Sequence, residues 1–209
     1  MPHPNLLCLG DSYTIGEGVP LHESFPYKLV QLLRKEGLDF HAPEIIAKTG
    51  WTTFELKDQI AHTILLDKYD YVTLLIGVNN QYRNLSAEEF KTDFEWLLNK
   101  SISLADNNPE KVIVLSIPDW GATPFAEGRD RVTIAAEIDA FNNLNESLSA
   151  GNHVHYVNIT PGTREAANDE TLLTGDKLHY SGKEQKRWAE LVLHKIISHN
   201  GNKEQKAAK

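Results

Sequence analysis

What this 209-residue chain lacks narrows it first. Cys8 is its only cysteine, so no intrachain disulfide can form. Cys8 also sits inside an apolar run, where a small buried hydrophobe is expected rather than a reactive thiol. No block of Lys and Arg stands against the formal net charge of −8, which excludes a nucleic-acid footprint. No stretch reaches the ~20 apolar residues of a membrane-spanning helix. The opening MPHPNLLCLG has neither a basic n-region nor an apolar segment of signal-peptide length, giving the expectation of a soluble, cytoplasmic protein. There is no internal repeat, no low-complexity linker and no shift of composition. A single domain over residues 1–200 is therefore expected, followed by a lysine-rich solvated tail at 201–209. Two glycine motifs are missing as well. GDSYTIG, after the first apolar run, lacks the G-x-G-x-x-G spacing of a phosphate-binding loop and puts a carboxylate where phosphates would sit. Without a G-x-S-x-G elbow, the α/β-hydrolase fold that uses one is disfavoured.

What is present is an alternation. Five short runs rich in apolar and β-branched residues read as strands: 5–10, 43–48, 71–77, 111–118 and 153–159. Helical spacing fills the gaps between them. Leu29, Leu32 and Leu33 share a face, as do Phe90, Phe94, Leu97 and Leu98 after a Ser86–Glu89 capping box. Weaker amphipathic patterns cover 53–66 and 131–148. A last helix opens with Ser181 and Glu184, again spaced as a capping box, and carries Trp188, Leu191, Val192 and Ile196. Strands alternating with helices predict a parallel sheet covered on both faces. In such sheets ligands bind beyond the carboxyl ends of the strands, so the residues after each run are where chemistry is expected.

Those residues form a coherent set. Asp11 and Ser12 follow the first run, Thr49 and Gly50 the second, Gly77, Asn79 and Asn80 the third; Asp176 and His179 precede the last helix. A serine hydroxyl becomes a useful nucleophile only when a base takes its proton, and a neutral imidazole does this at pH 7. A carboxylate on the other ring nitrogen fixes the tautomer and orientation. A glycine N–H and an amide side chain are competent donors to a developing oxyanion. Asp11 is expected to brace the turn through backbone N–H groups rather than to move protons.

The set resembles the GDSL/SGNH hydrolase family. GDSY at 10–13 carries the GDS core, and Gly50 stands at the position of the family's oxyanion glycine. Asn79 in IGVNN fits the G-x-N block, and DKLH at 176–179 fits D-x-x-H. The four blocks occur in the family's order across most of the chain. The resemblance implies a three-layer α/β/α sandwich with a five-stranded parallel sheet, the flavodoxin-like SGNH hydrolase fold. It further implies a serine esterase or acylhydrolase with Ser12 as nucleophile, His179 as base and Asp176 as its orienter. The backbone N–H groups of Ser12 and Gly50 and the amide of Asn79 would form the oxyanion hole. No metal or cofactor is called for. Two positions depart from the family: Tyr13 where Leu is frequent, and Asn80 where Asp is frequent. A carboxylate at the second would accept hydrogen bonds that an amide meets only in part.

Trp51, Tyr82 and Arg83 are candidate substrate-binding residues by their proximity to Gly50 and Asn79, with Trp120 and Phe125 as further walls of the same cleft. His153 and His155, at i and i+2, would share one face of a strand, but nothing nearby completes a metal-ligand set, so packing or surface roles are expected. The expected substrate is a small acyl ester, since the chain carries no long inserted lid. The rival from another class is a non-catalytic binding module with an idle site, whose mark would be a missing member of the triad. None is missing.

Overall fold

The computed structural model describes residues 3–207, with side chains described as far as residue 198. The strands are β1 (Leu6–Gly10), β2 (Glu44–Ala47), β3 (Tyr71–Leu75), β4 (Val112–Leu115) and β5 (His155–Val157). They form one parallel sheet in the order β2-β1-β3-β4-β5. Every residue of β1, β3 and β4 is buried, as continuous apolar runs covered on both faces should be. Cys8 lies opposite Thr73 in the centre, and burial pushes its thiol up to about 12. It is a packing residue.

Between the strands run α1 (Ser12–Ile15), α2 (Phe25–Lys35), α3 (Thr53–His62), α4 (Val78–Tyr82), α5 (Ala87–Leu104), α6 (Arg131–Gly151), α7 (Thr160–Arg164) and α8 (Gly182–Ala207). β1 leads through α2 to β2 at one edge; the chain then returns across β1 to β3 and proceeds to β5 in the other direction. Right-handed crossovers therefore put α2 on one face and α3, α5 and α6 on the other. The packing agrees: α2 lies against α8, while α3 lies against α5 and α5 against α6. The three-layer α/β/α sandwich expected from the sequence is the fold. Its direction of winding reverses between β1 and β3, which makes the carboxyl ends of those two strands the crevice of the sheet.

Local chemistry sets the helix ends. Ser86 and Glu89 form the expected capping box at α5, and Thr52 and Glu55 form another at α3. The box expected at α8 does not form. Ser181 Oγ donates to the Thr171 carbonyl, while Glu184 is buried, accepts from Trp188 Nε1 and pairs with Arg187. Leu191 also departs from expectation: it is exposed, and Trp188, Ala189, Val192, Leu193 and Ile196 make the buried face. α8 continues through Ala207, so the backbone of the expected tail is helical over 201–207. Whether its side chains are solvated lies outside the described residues. His153 lies before β5, in the turn that ends α6, with φ of 59°; it therefore shares no strand face with His155.

Candidate active site

The chain leaves the buried end of β1 at Gly10 and turns at once into α1. Asp11 caps that helix, its Oδ1 accepting the Tyr13 N–H at 3.0 Å, so the bracing expected of it is present. Asp11 is 1% exposed, and burial pushes its carboxyl up to about 7 against the pull of the Tyr13 N–H and its own N–H. Ser12, the first residue of α1, is thereby held over the sheet's end.

His179 reaches this serine from the far end of the chain. Its Nδ1 stands 2.6 Å from Asp176 Oδ2 and its Nε2 3.0 Å from Ser12 Oγ. With Nδ1–H donating to the carboxylate, Nε2 is left as the acceptor facing the hydroxyl. The loop carrying both residues is tightly built. An antiparallel bridge joins Leu173 to Tyr180, the Thr174 N–H donates to the His179 carbonyl at 2.8 Å, and Lys177 turns the backbone with φ of 61°. Asp176 Oδ1 accepts from the N–H groups of Leu178 and His179 and from the Thr174 hydroxyl. Partial burial opposes ionisation of Asp176. The hydrogen bonds from the His179 ring, the two N–H groups and Thr174 outweigh it and hold the carboxyl well below its usual range.

Tyr13, one of the two departures from the family pattern, seats the imidazole. Its ring meets that of His179 edge-on at 5.6 Å and continues into Tyr180 and Trp188 at 5.8 and 6.2 Å. Nothing in the spacing of the sequence signals this cluster. Thr174, two residues before Asp176, is the other partner that motif reading passes over.

Gly50 and α4 line the same cavity as Ser12 and His179. Gly50 has φ of 84°, a left-handed conformation that disfavours any side chain. Gly77, at φ of 130°, caps α4, and a Cβ there would lie 2.6 Å from the Phe90 ring. That approach lets Asn79 follow β3 closely. Asn79 Nδ2 donates to the Trp51 carbonyl at 2.9 Å. The amide of Asn80 is fully used: Oδ1 accepts the Thr53 N–H at 3.0 Å and Nδ2 donates to Thr53 Oγ1 at 2.8 Å. It ties α4 to the start of α3, and the neutral side chain has a partner at each end.

Ser12, Gly50, Asn79 and His179 open into one cavity of about 170 Å³, walled further by Tyr82, Trp120 and Phe125. Trp51 and Arg83 are not among the residues lining it. Trp51 contributes its carbonyl to Asn79. Arg83 donates through Nη2 to the Gly50 carbonyl and through Nη1 to Glu55, so it braces the Gly50 turn. Among the described residues no three His, Cys, Asp or Glu side chains gather closely enough to hold a metal ion. None of the described helices is long and apolar enough to cross a membrane.

Comparison with known proteins gives the family and the fold. The sequence model of the GDSL-like lipase/acylhydrolase family matches residues 8–187. Among solved structures, the psychrotrophic esterase EstA from Pseudoalteromonas sp. superposes with a TM-score of 0.70 at 17% identity, covering 95% of this chain and 99% of that one. A lipase/acylhydrolase from Enterococcus faecalis gives 0.71 at 20% identity, covering 94% and 96%. Axe2, an acetylxylan esterase from Geobacillus stearothermophilus, gives 0.71 at 18% identity, covering 92% and 94%. A search of curated proteins returned no match.

Proposed function

We propose, for a chain that belongs to the GDSL-like lipase/acylhydrolase family and is a hydrolase of ester bonds, that Ser12, His179 and Asp176 carry out the reaction through an acyl-enzyme. His179 Nε2 takes the Ser12 proton as Oγ attacks the ester carbonyl. The tetrahedral oxyanion is met by the N–H groups of Ser12 and Gly50 and by the free N–H of the Asn79 amide. His179 returns its proton to the leaving alcohol, the acyl group stays on Ser12, and a water activated by the same imidazole releases it as the acid. Asp176 keeps the imidazole in the acceptor tautomer and stabilises the imidazolium in both halves. The observation that carries this reading is the unbroken line Asp176–His179–Ser12, 2.6 and 3.0 Å, at the mouth of an apolar cavity.

The substrate in this reading is a small acyl ester. At about 170 Å³ the cavity is smaller than the ~300–1,000 Å³ that holds drug-sized ligands. The test is covalent. EstA has been seen inhibited by monoethylphosphonate. A fluorophosphonate reagent on the present chain should add one phosphonyl group, mapped by mass spectrometry to the peptide holding Ser12. Labelling at another serine, or esterase activity surviving in Ser12→Ala, would overturn the assignment.

A further inference from the structure

One wall of the cavity is fixed in a way the reaction itself does not need. Trp120 sits in a 3-10 turn, Trp120–Ala122, and is 4% exposed. Its indole Nε1 donates to Gln81 Oε1 at 2.6 Å, and Gln81 Nε2 donates to Glu137 Oε2 on α6 at 2.7 Å. The turn is held from the other end too. Asp119 accepts the Gly121 N–H at 2.9 Å and Arg164 Nε at 2.8 Å. Tyr82 and Phe125 pack edge-on against the indole at 5.2 and 6.2 Å. A ring pinned at its nitrogen and at its backbone cannot swing aside to admit a longer ligand.

Beyond the Tyr82–Trp120 pair lies a second, more polar cavity of about 190 Å³, lined by Gln81, Arg129, Asp130, Ile134 and Glu137 among others. Both side chains line both cavities, so the indole is a partition. Removing it would join the two clefts and lengthen the space open to a group bound at Ser12. The acyl half of the substrate is the half this partition measures. The acyl group stays bonded to Ser12 through the second half-reaction and must be housed, whereas the alcohol departs to solvent. The walls also suit an acyl chain: Val78, Tyr82, Trp120, Phe125 and Leu178 carry no charge.

We infer that Trp120 limits the length of the acyl group accepted at Ser12, with Gln81 as the positioning residue that holds it. The inference rests on the acyl-enzyme reading above and gives that site its substrate class, esters of short acyl chains. The experiment compares kcat/KM for p-nitrophenyl acetate, butyrate and hexanoate on the wild type, Trp120→Ala, Trp120→Leu, Gln81→Ala and the Gln81→Ala/Trp120→Ala double variant. The wild type should fall steeply from acetate to hexanoate. The hexanoate-to-acetate ratio should rise ~10-fold or more in Trp120→Ala, because a methylene's fit in an apolar pocket is worth that much. Trp120→Leu and Gln81→Ala should show smaller rises. The double variant should rise at least as far as Trp120→Ala, since Gln81 both holds the indole and lines the second cavity. Gln81→Ala keeps the indole and so remains informative where a Trp120 variant fails to fold.

An unchanged ratio in folded variants would overturn the inference. So would a shift appearing in a series of alcohols esterified to acetate rather than in the acyl series. Failure of the underlying reading would look different: ester hydrolysis would persist in Ser12→Ala, whatever these ratios do.

Discussion

The Asn79 amide gives one of its two N–H bonds to the Trp51 carbonyl, at 2.9 Å. That bond identifies the nitrogen end of the side chain and leaves its second N–H uncommitted, on a residue that lines the same cavity as Ser12. A preorganised donor of this kind acts on the alkoxide far more than on the ground-state carbonyl. Asn79→Ala should therefore lower kcat by ~10²–10³ and leave KM nearly unchanged. Asn79→Asp should be worse, because a carboxylate would face developing negative charge. Steady-state kinetics on one activated short-chain ester, with circular dichroism for folding, decides. A raised KM with kcat spared would make Asn79 a binding or turn residue.

Asp176 meets its histidine with one oxygen and three loop donors with the other. In Asp176→Asn, Oδ1 can still accept from the loop, so the fold should survive. The amide nitrogen would then face Nδ1 and favour the wrong tautomer, and kcat should fall by ~10⁴. The ion also affects stability. Its carboxyl is held below the usual 3.8 in the folded chain, so its contribution is present above about pH 4 and is lost as the pH falls. Thermal melts of wild type and Asp176→Asn should converge toward acid. Activity within a few-fold of wild type would mean that something else orients the imidazole.

Much of this was legible before the structure. The five runs, their alternation with helices and the four motif blocks point to the sheet and to Ser12, Gly50, Asn79 and His179 around one cavity, because period and strand-end position are local properties. What escaped was non-local. Ser181 and Glu184 have the spacing of a capping box, yet tertiary partners, Thr171 for one and Trp188 for the other, take both side chains. Arg83 is adjacent to Asn79's helix, but its guanidinium turns to the Gly50 carbonyl rather than into the cavity. The Gln81–Trp120 bond joins residues 39 positions apart, and no spacing rule announces it.

Asp11 gives a pH dependence of the opposite sign to that of Asp176. Its buried carboxyl keeps a proton up to about 7 in the folded chain, while its usual value is 3.8. Between those values the folded state binds more protons than the unfolded one, so this group lowers stability as the pH rises. Asp11→Asn keeps an acceptor for the Tyr13 N–H and removes the ionisation. Its melting temperature relative to wild type should rise from pH 4 to 7 and level off above that. A difference independent of pH would show that ionisation at Asp11 costs the fold nothing.

Asn80, one of the two positions where the chain departs from the family pattern, supports the last prediction. The amide accepts the Thr53 N–H and donates to the Thr53 hydroxyl, at the first turn of α3. A carboxylate there would keep the N–H bond, and the hydroxyl can rotate to donate instead of accept. The positive end of α3 favours the added charge, although Asn80 is only 2% exposed and burial opposes it. Asn80→Asp should therefore fold at neutral pH with stability within about 1 kcal/mol of wild type. Asn80→Ala strands the Thr53 N–H and hydroxyl and should cost about 1–3 kcal/mol. It should also lower kcat, because the tie between α4 and α3 sets where Asn79 stands. Urea melts of both variants, with kcat measured on the same preparations, test the pair. If Asn80→Ala is as stable and as active as wild type, α4 is held by its apolar contacts alone and the amide is dispensable.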